Sequence, residues 1–457
     1  LIYKKEEASS ARWAVVGGGM MGLATALRLA NLDQQVVLLE ASPSIGGLAS
    51  SWKLGDVEWD KFYHVITLSD SRLRSLLAEF DLDSQIEWVQ TRSGFYSEGK
   101  LYSLSSSLDF LRFPPLNLYQ KFRLGGTIFL GSKIRNWRSM EGMLVEDWLK
   151  RWSGRSTFER VWLPLLKCKL GEAYTRTSAA FIWAYIDRMY KARRSGMKRE
   201  MFGYVPGGYK CILKALSKKL LDKGVEIRCD APVRNVCRED SDSGVFSVTF
   251  GNDHATQTES FDRVVMTSPY SHIASACQGL ANDEIERLQA TEYLGVTCTS
   301  LLLDRPLGNY YVTNILDRWV PLTGIIEMGS ILPPEKLGGH YLVYLPQYML
   351  SNDPRFEQSD AIVHERCLST LEKMYPEFNR NQVAAIQTAR AKHVMALPTL
   401  HFSVSRPDVV LSQPGLYLLN SARIVKGTLN VNESLELLDE GFDQSLWPHH
   451  LALETRK

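Results

Sequence analysis

The sequence predicts an α/β fold in which a parallel-sheet domain is joined to a second, α+β domain. Three observations predict it. An apolar run, Trp13-Ala14-Val15-Val16, breaks at Gly17-Gly18-Gly19-Met20-Met21-Gly22, then passes through a helix-like stretch, Leu23 to Ala30, into Val36-Val37-Leu38-Leu39-Glu40. The 457 residues suffice for two or three domains with cores of their own. Residues 91–200 change character, becoming helical and aromatic-rich, before glycine turns and buried-strand runs return at 203–270.

The first stretch reads as strand, tight turn, helix and second strand. Gly17 permits the turn, Gly19 leaves room for a pyrophosphate against the backbone, and Gly22 lets the helix pack closely on the sheet. The helix N-terminus offers free amides and the positive end of its dipole to phosphate. Glu40 lies 18 residues after Gly22, where a carboxylate accepts hydrogen bonds from ribose hydroxyls.

Composition narrows the function classes. The chain is 45% hydrophobic and 23% charged, as in an ordinary globular protein. A net charge of +2 argues against bulk electrostatic capture of nucleic acid. The seven cysteines show no C-x-x-C and no paired spacing, which points to reduced thiols rather than a zinc site or disulfide framework. No run of about 18 uncharged apolar residues marks a transmembrane helix. A cytoplasmic protein is expected, with peripheral membrane contact left open. The chain begins at Leu1, so processing and targeting stay open as well.

After Glu40, five residues lead to Gly46-Gly47-Leu48-Ala49. This spacing resembles the FAD-binding extension of the amine-oxidase superfamily, which includes protoporphyrinogen oxidase and phytoene-type desaturases. Further fragments share the resemblance: Pro206-Gly207-Gly208 with a following helix and Val233-Arg234-Asn235-Val236, the strand Phe261 to Ser268, and Gly415 to Ser434. The C-terminal motif departs from the superfamily pattern, because Asn420-Ser421 stands where Gly-Asp is usual.

The resemblance implies a glutathione-reductase-like, Rossmann-type FAD domain assembled from residues 12–90, 201–289 and 401–445. The substrate domain, a mixed sheet plus helices, then comprises 91–200 and 290–400, with 1–11 and 446–457 as flexible termini. It implies FAD contacts from Gly17, Gly19, Met20, Met21, Gly22, Glu40, Ala41, Gly46, Gly47, Leu48, Ala49, His64, Val233, Ser268, Asn420, Leu429, Asn430 and Val431. His64, in the segment that runs beneath the isoalloxazine in this superfamily, is the catalytic candidate. No metal site is expected.

The substrate domain carries the remaining signals. Gly94 to Tyr102 reads as a hairpin turning at Glu98-Gly99. Residues 108–138 hold six basic residues and one acid among many apolar ones. A solvated basic face on an ordinary helical domain is the expectation there, and a membrane-surface helix the alternative. The aromatics Trp148, Trp152, Phe158 and Trp162 are expected in the core. A second basic cluster, Arg188, Lys191, Arg193, Arg194, Lys198 and Arg199, is read as a solvated loop. Glu327, Tyr344 and His393 are polar candidates near strand-like runs.

Three functions follow. The first is an FAD-dependent oxidoreductase that takes hydride from a hydrophobic substrate (isoprenoid, tetrapyrrole or lipid-linked) to flavin N5, with an unknown electron acceptor. The second is a non-redox flavin mutase acting on a nucleotide sugar and resembling UDP-galactopyranose mutase, with Arg160, Arg176 and Arg305 as diphosphate candidates. The third is a binding protein without turnover.

Overall fold

The computed structural model describes residues 10–193, 201–239, 244–252, 255–425 and 428–442. Its first layer is a parallel sheet of five strands in the order Glu226–Arg228, Gln35–Leu39, Arg12–Val16, Arg263–Met266 and Leu416–Leu418. The central strands are continuous apolar runs because both of their faces are covered. On one face pack the helices Met20–Ala30, Tyr209–Asp222 and Val431–Gly441, through Leu23, Leu27, Ile212, Leu216 and Leu438. On the other lies the antiparallel sheet Val233–Arg238, Phe246–Asn252 and Ala255–Phe261, through Val236, Val248 and Phe261. Residues from four distant stretches of the chain therefore share one core.

A second, seven-stranded sheet runs in the order Val383–Ala396, Tyr293–Leu303, Tyr341–Leu350, Gly324–Glu327, Val312–Ile315, Ser93–Ser97 and Lys100–Ser103. The last two strands form the expected hairpin. Glu98 and Gly99 both take positive φ, 54° and 73°, the mirror-image turn whose twist matches that of paired strands. The helix Asp360–Met374 covers one face of this sheet through Val363, Cys367 and Leu371. The opposite face, with Val296, Cys298, Tyr344 and Tyr348, turns toward Leu48, Trp59, Tyr63 and Leu429. That junction brings the two sheets' functional edges together.

The helices Leu118–Lys133, Val145–Ser153, Leu163–Leu170 and Ala179–Arg193 form a third body beside the mixed sheet. Trp148, Phe158 and Trp162 are buried in its core as expected, but Trp152 is exposed beside Arg151. At 108–138 the basic residues Arg112, Lys133, Arg135 and Arg138 are exposed as expected, but the outward face of the helix Leu118–Lys133 also carries large apolar side chains. Among the described residues no helix is long and apolar enough to cross a membrane, and no group of ligands could hold a metal ion. All seven cysteines are free. At the N-terminus Ala11 is tied to Gln34 and Gln35, while residues 1–9 and 443–457 lie outside the described part.

Candidate functional site

The glycine turn at the C-terminal edge of the parallel sheet is built by close contacts. Gly17 takes φ +110°, and its N–H donates to Leu39 O at 2.8 Å. A Cβ on Gly17 would sit 2.5 Å from Thr267 Oγ1, and one on Gly22 only 1.9 Å from Gly17 O. These two glycines let the helix begin against the strand ends. Gly19 differs: its φ is −73° and a Cβ there would meet nothing within 4 Å. Open space thus faces the N-terminus of Met20–Ala30, where free amides and the helix dipole favour an anion.

The second glycine pair closes onto the first. Gly46 N–H donates to Gly18 O at 2.7 Å, Gly19 and Gly46 form an isolated parallel bridge, and a Cβ on Gly47 would lie 3.3 Å from Gly19 Cα. Met20, Met21 and Ala49 are buried behind this wall, Leu48 is half-buried and Ala41 exposed. Glu40 is 9% exposed and accepts N–H bonds from Gly18 at 2.5 Å and Ser42 at 2.8 Å. Its carboxylate keeps further lone pairs for ribose hydroxyls. The cradle fits the pyrophosphate and ribose of FAD on the open space at Gly19 and the acceptor at Glu40.

Two more wall segments follow. His272 links Val233 to Ser268. Its Nε2–H donates to Val233 O at 2.8 Å, which leaves Nδ1 to accept from Ser268 Oγ–H at 2.8 Å. Asn420 is occupied within the fold. Its Nδ2 donates to Thr267 O and Ser268 O, both at 2.8 Å, and Oδ1 accepts from Ala422 N–H at 2.7 Å. Asn420 thus fastens the turn after Leu416–Leu418 to the end of Arg263–Met266. Farther on, Asn430 caps the helix Val431–Gly441 by accepting from Glu433 N–H at 3.0 Å. Arg188 donates to Thr428 Oγ1 at 2.8 Å and faces Asp70 at 3.7 Å. The rest of the second basic cluster, Lys191 to Arg199, lies outside the described side chains.

His64 sits on the opposite wall. Its Nδ1–H donates to Phe62 O at 2.9 Å, so Nε2 is left as an acceptor. The ring packs 4.7 Å from that of Tyr209. Burial lowers its pKa to about 4, so the ring is neutral near pH 7. Asp60 Oδ2 lies 3.9 Å from Nδ1, too far for a hydrogen bond. Burial raises the Asp60 pKa to about 8, opposed by the N–H of Tyr209 at 3.0 Å. Both groups favour their neutral forms, so this contact is not an ion pair.

The junction of the two sheets holds a cluster of which the sequence singled out only Tyr344. Tyr63 and Tyr348 share a hydroxyl contact of 3.2 Å, the Tyr63 and Tyr344 rings lie 6.2 Å apart, and Tyr344 Oη–H donates to Asp60 O at 2.5 Å. Lys169 Nζ sits 3.0 Å from the Tyr348 ring centroid. Its position is fixed by a relay: Tyr348 N–H donates to Thr323 Oγ1, whose hydrogen goes to Cys168 O at 2.7 Å. Tyr63, Lys169, Tyr185 and Tyr348 all keep some accessible surface, yet burial raises the three phenols and lowers Lys169 to about 7. These four side chains thus form a desolvated cluster between the mixed sheet and the helices.

Other candidates do not join this site. Arg160 donates to Pro115 O, Arg176 pairs with Glu292, and Arg305 is exposed, so the three arginines do not converge. Glu327 is buried against Gly308 N–H, and His393 is exposed beside Tyr293. Of the residues missed, Asp60 has a faint signal in its i, i+4 spacing to His64. Lys169 has none, since its partner ring comes from a distant strand, and His272 has only its i−4 spacing to Ser268, its other partner Val233 being distant.

Comparison with known proteins identifies the family and the fold. The family described as flavin containing amine oxidoreductase matches residues 20–400. A protein from Synechococcus elongatus assigned as a zeta-carotene desaturase is 23% identical over 239 residues, 46% of this chain and 47% of its own length. The 15-cis-phytoene desaturase of Narcissus pseudonarcissus is 31% identical over 77 residues, 17% of this chain and 14% of its own. The chain thus matches less than half the length of these curated relatives. Among solved structures, a protein assigned as protoporphyrinogen oxidase from Exiguobacterium sp. 255-15 superposes with a TM-score of 0.74 at 18% identity, covering 95% of this chain and 98% of that one. Putrescine oxidase bound to putrescine gives 0.68 at 15% identity, covering 95% and 98%.

Proposed function

We propose, from the premise that this chain belongs to the flavin-containing amine oxidoreductase family and is an FAD-dependent oxidoreductase of oxidase or desaturase type, that its substrate is a hydrophobic molecule bearing one polar group. The observation that carries this reading is the cluster of Tyr63, Tyr185 and Tyr348 with Lys169 Nζ against the Tyr348 ring, a desolvated amine among phenols that would wall the substrate space. Phenol rings offer apolar area to a large ligand, while a single amine orients one oxygen or acid group. The carotene desaturase relatives support an isoprenoid skeleton, while the polar group is argued from Lys169 alone, since a carotene is a hydrocarbon.

The cradle residues divide the binding. Gly17, Gly19 and Gly22, with Met20 and Met21, would receive the pyrophosphate; Glu40 with Ala41 would receive ribose. Gly46, Gly47, Leu48, Ala49, Leu429, Asn430 and Val431 would line the path toward the reacting ring, and Val233, Ser268 and Asn420 would form its side wall. Bound FAD supplies the hydride acceptor for the reaction. His64 stays neutral and holds its ring against Tyr209, closing the wall to water. Lys169 holds the substrate's polar group, in a space where desolvation strengthens every such contact.

The test is an absorbance spectrum of the purified protein followed by anaerobic titration. Bleaching of oxidised flavin by an isoprenoid or tetrapyrrole, and not by a small polar amine, is the expected result. Bleaching by the small amine alone overturns the substrate class. Bleaching only by dithionite, with turnover of a nucleotide sugar by the reduced protein, overturns the redox reading.

A further inference from the structure

We propose that the face formed by the helices Ser107–Arg112 and Leu118–Lys133 docks on an anionic lipid bilayer. The longer helix is amphipathic in reverse. Gln120, Lys121, Leu124, Thr127 and Gly131 point inward. Outward stand Leu118 (74% exposed), Tyr119 (69%), Phe122 (78%), Phe129 and Leu130, joined by Leu108 and Leu111 from the shorter helix. Soluble surfaces scatter such residues singly; a contiguous group marks an interaction site.

The inward polar groups are built into the fold rather than stranded there. Lys121 Nζ donates to Leu111 O at 2.6 Å and ties the two helices together. Gln120 closes a capping box with Asn117 and donates to Ser156 Oγ at 2.7 Å. The helix is thereby locked with its apolar side out.

Charge selects the occupant. Arg112, Lys133, Arg135 and Arg138 are exposed around this face, and among the described residues no carboxylate pairs with them. Asp109, the single acid from 108 to 138, is engaged by neighbouring serines: Ser103 Oγ–H donates to it at 2.6 Å and Ser105 N–H at 3.1 Å. Aromatic and leucine side chains flanked by unneutralised cations complement acyl chains beneath anionic headgroups. A second copy would bring a like-charged face and repel.

The face also lies one helix away from the tyrosine-lined space. Gly131 lets Ile186 of Ala179–Arg193 approach, Trp183 Nε1–H donates to Ile134 O at 3.1 Å, and Tyr185 of the same helix belongs to the phenol cluster. Docking here would place the substrate space beside the lipid that dissolves a hydrophobic molecule.

The experiment is co-sedimentation of the full chain with phosphatidylcholine vesicles, with or without phosphatidylglycerol. Binding to the anionic vesicles is expected, with a partition coefficient about tenfold above that on phosphatidylcholine alone. The double variants Phe122→Ser/Phe129→Ser and Lys133→Glu/Arg135→Glu should each lose about tenfold or more, with melting temperature and flavin content unchanged. Equal binding to both vesicles, no binding to either, or variants that sediment like the wild type would overturn the proposal. A concentration-dependent dimer that Phe122→Ser/Phe129→Ser abolishes would also overturn it, by assigning the face to a second copy. The readout is the protein itself, so failure here leaves the flavin chemistry standing.

Discussion

Replacing Gly19 by valine should leave the apoprotein folded and strip it of flavin. The argument rests on the contrast between two glycines of one turn. A Cβ at Gly22 would lie 1.9 Å from Gly17 O, about 1.4 Å short of an ordinary carbon–oxygen contact, so Gly22→Ala must push the helix off the sheet. A Cβ at Gly19 meets nothing within 4 Å beyond its chain neighbours, and φ −73° with ψ 176° is extended backbone open to valine. The side chain enters instead the space where a phosphate must approach the helix amides. Losing two charge-assisted hydrogen bonds at about 1.5–3 kcal/mol each weakens binding by at least about a hundredfold. The assay is the flavin-to-protein ratio after gel filtration, with a melting curve of the flavin-free protein beside it. Stoichiometric flavin in Gly19→Val would refute the cradle. An unfolded Gly19→Val would refute the claim that its side is open.

Three further predictions concern named side chains. Glu40→Ala strands the Gly18 and Ser42 amides and removes the ribose acceptor, so flavin affinity should fall by ~1–3 kcal/mol; unchanged fluorescence titration would contradict this. Asp60 keeps its proton in the folded state up to about pH 8 against an ordinary 3.8, so it withdraws stability as pH rises across that window. Asp60→Asn should therefore flatten the dependence of urea stability on pH, and an unaltered slope would count against a buried neutral acid. Lys169 titrates near 7 in the fold against an ordinary 10.5, so stability is lost as pH falls through that range and stays low beneath it. Lys169→Met should gain on the wild type at about pH 6 relative to about pH 10, and should lose the kcat/KM limb near 7; retention of both would remove Lys169 from the substrate space.

Much of the first wall is legible in the chain because its geometry is local. Gly17, Gly22 and the following helix occupy one supersecondary unit, and the continuous apolar runs at 13–16, 36–39 and 263–266 announce strands covered on both faces. The hairpin at Glu98-Gly99 is legible for the same reason, since a turn's twist is a property of its own residues. Asn420 shows where such reading stops. Its type and place suggest a ligand contact, yet among the described residues its amide bonds to Ala422 and to Thr267 and Ser268, the last two supplied by strand order.

The 118–133 helix makes the complementary case. Its periodicity locates the helix, but two faces of a helix compete for burial, and only the neighbours decide which wins. Lys121 and Gln120 find partners inside, so Phe122 and Tyr119 are left outside. The sequence by itself determined the strand–glycine–helix unit, the placement of Glu40 and the α/β class, because each depends on backbone sterics and spacing within a few tens of residues. The tertiary structure alone decided that Lys169 meets Tyr348, that Tyr348 meets Tyr63, and that His272 joins Val233 to Ser268. All but the His272–Ser268 contact join residues far apart in the chain, and the desolvation that sets the titration of Lys169 exists only once those distant elements pack around it.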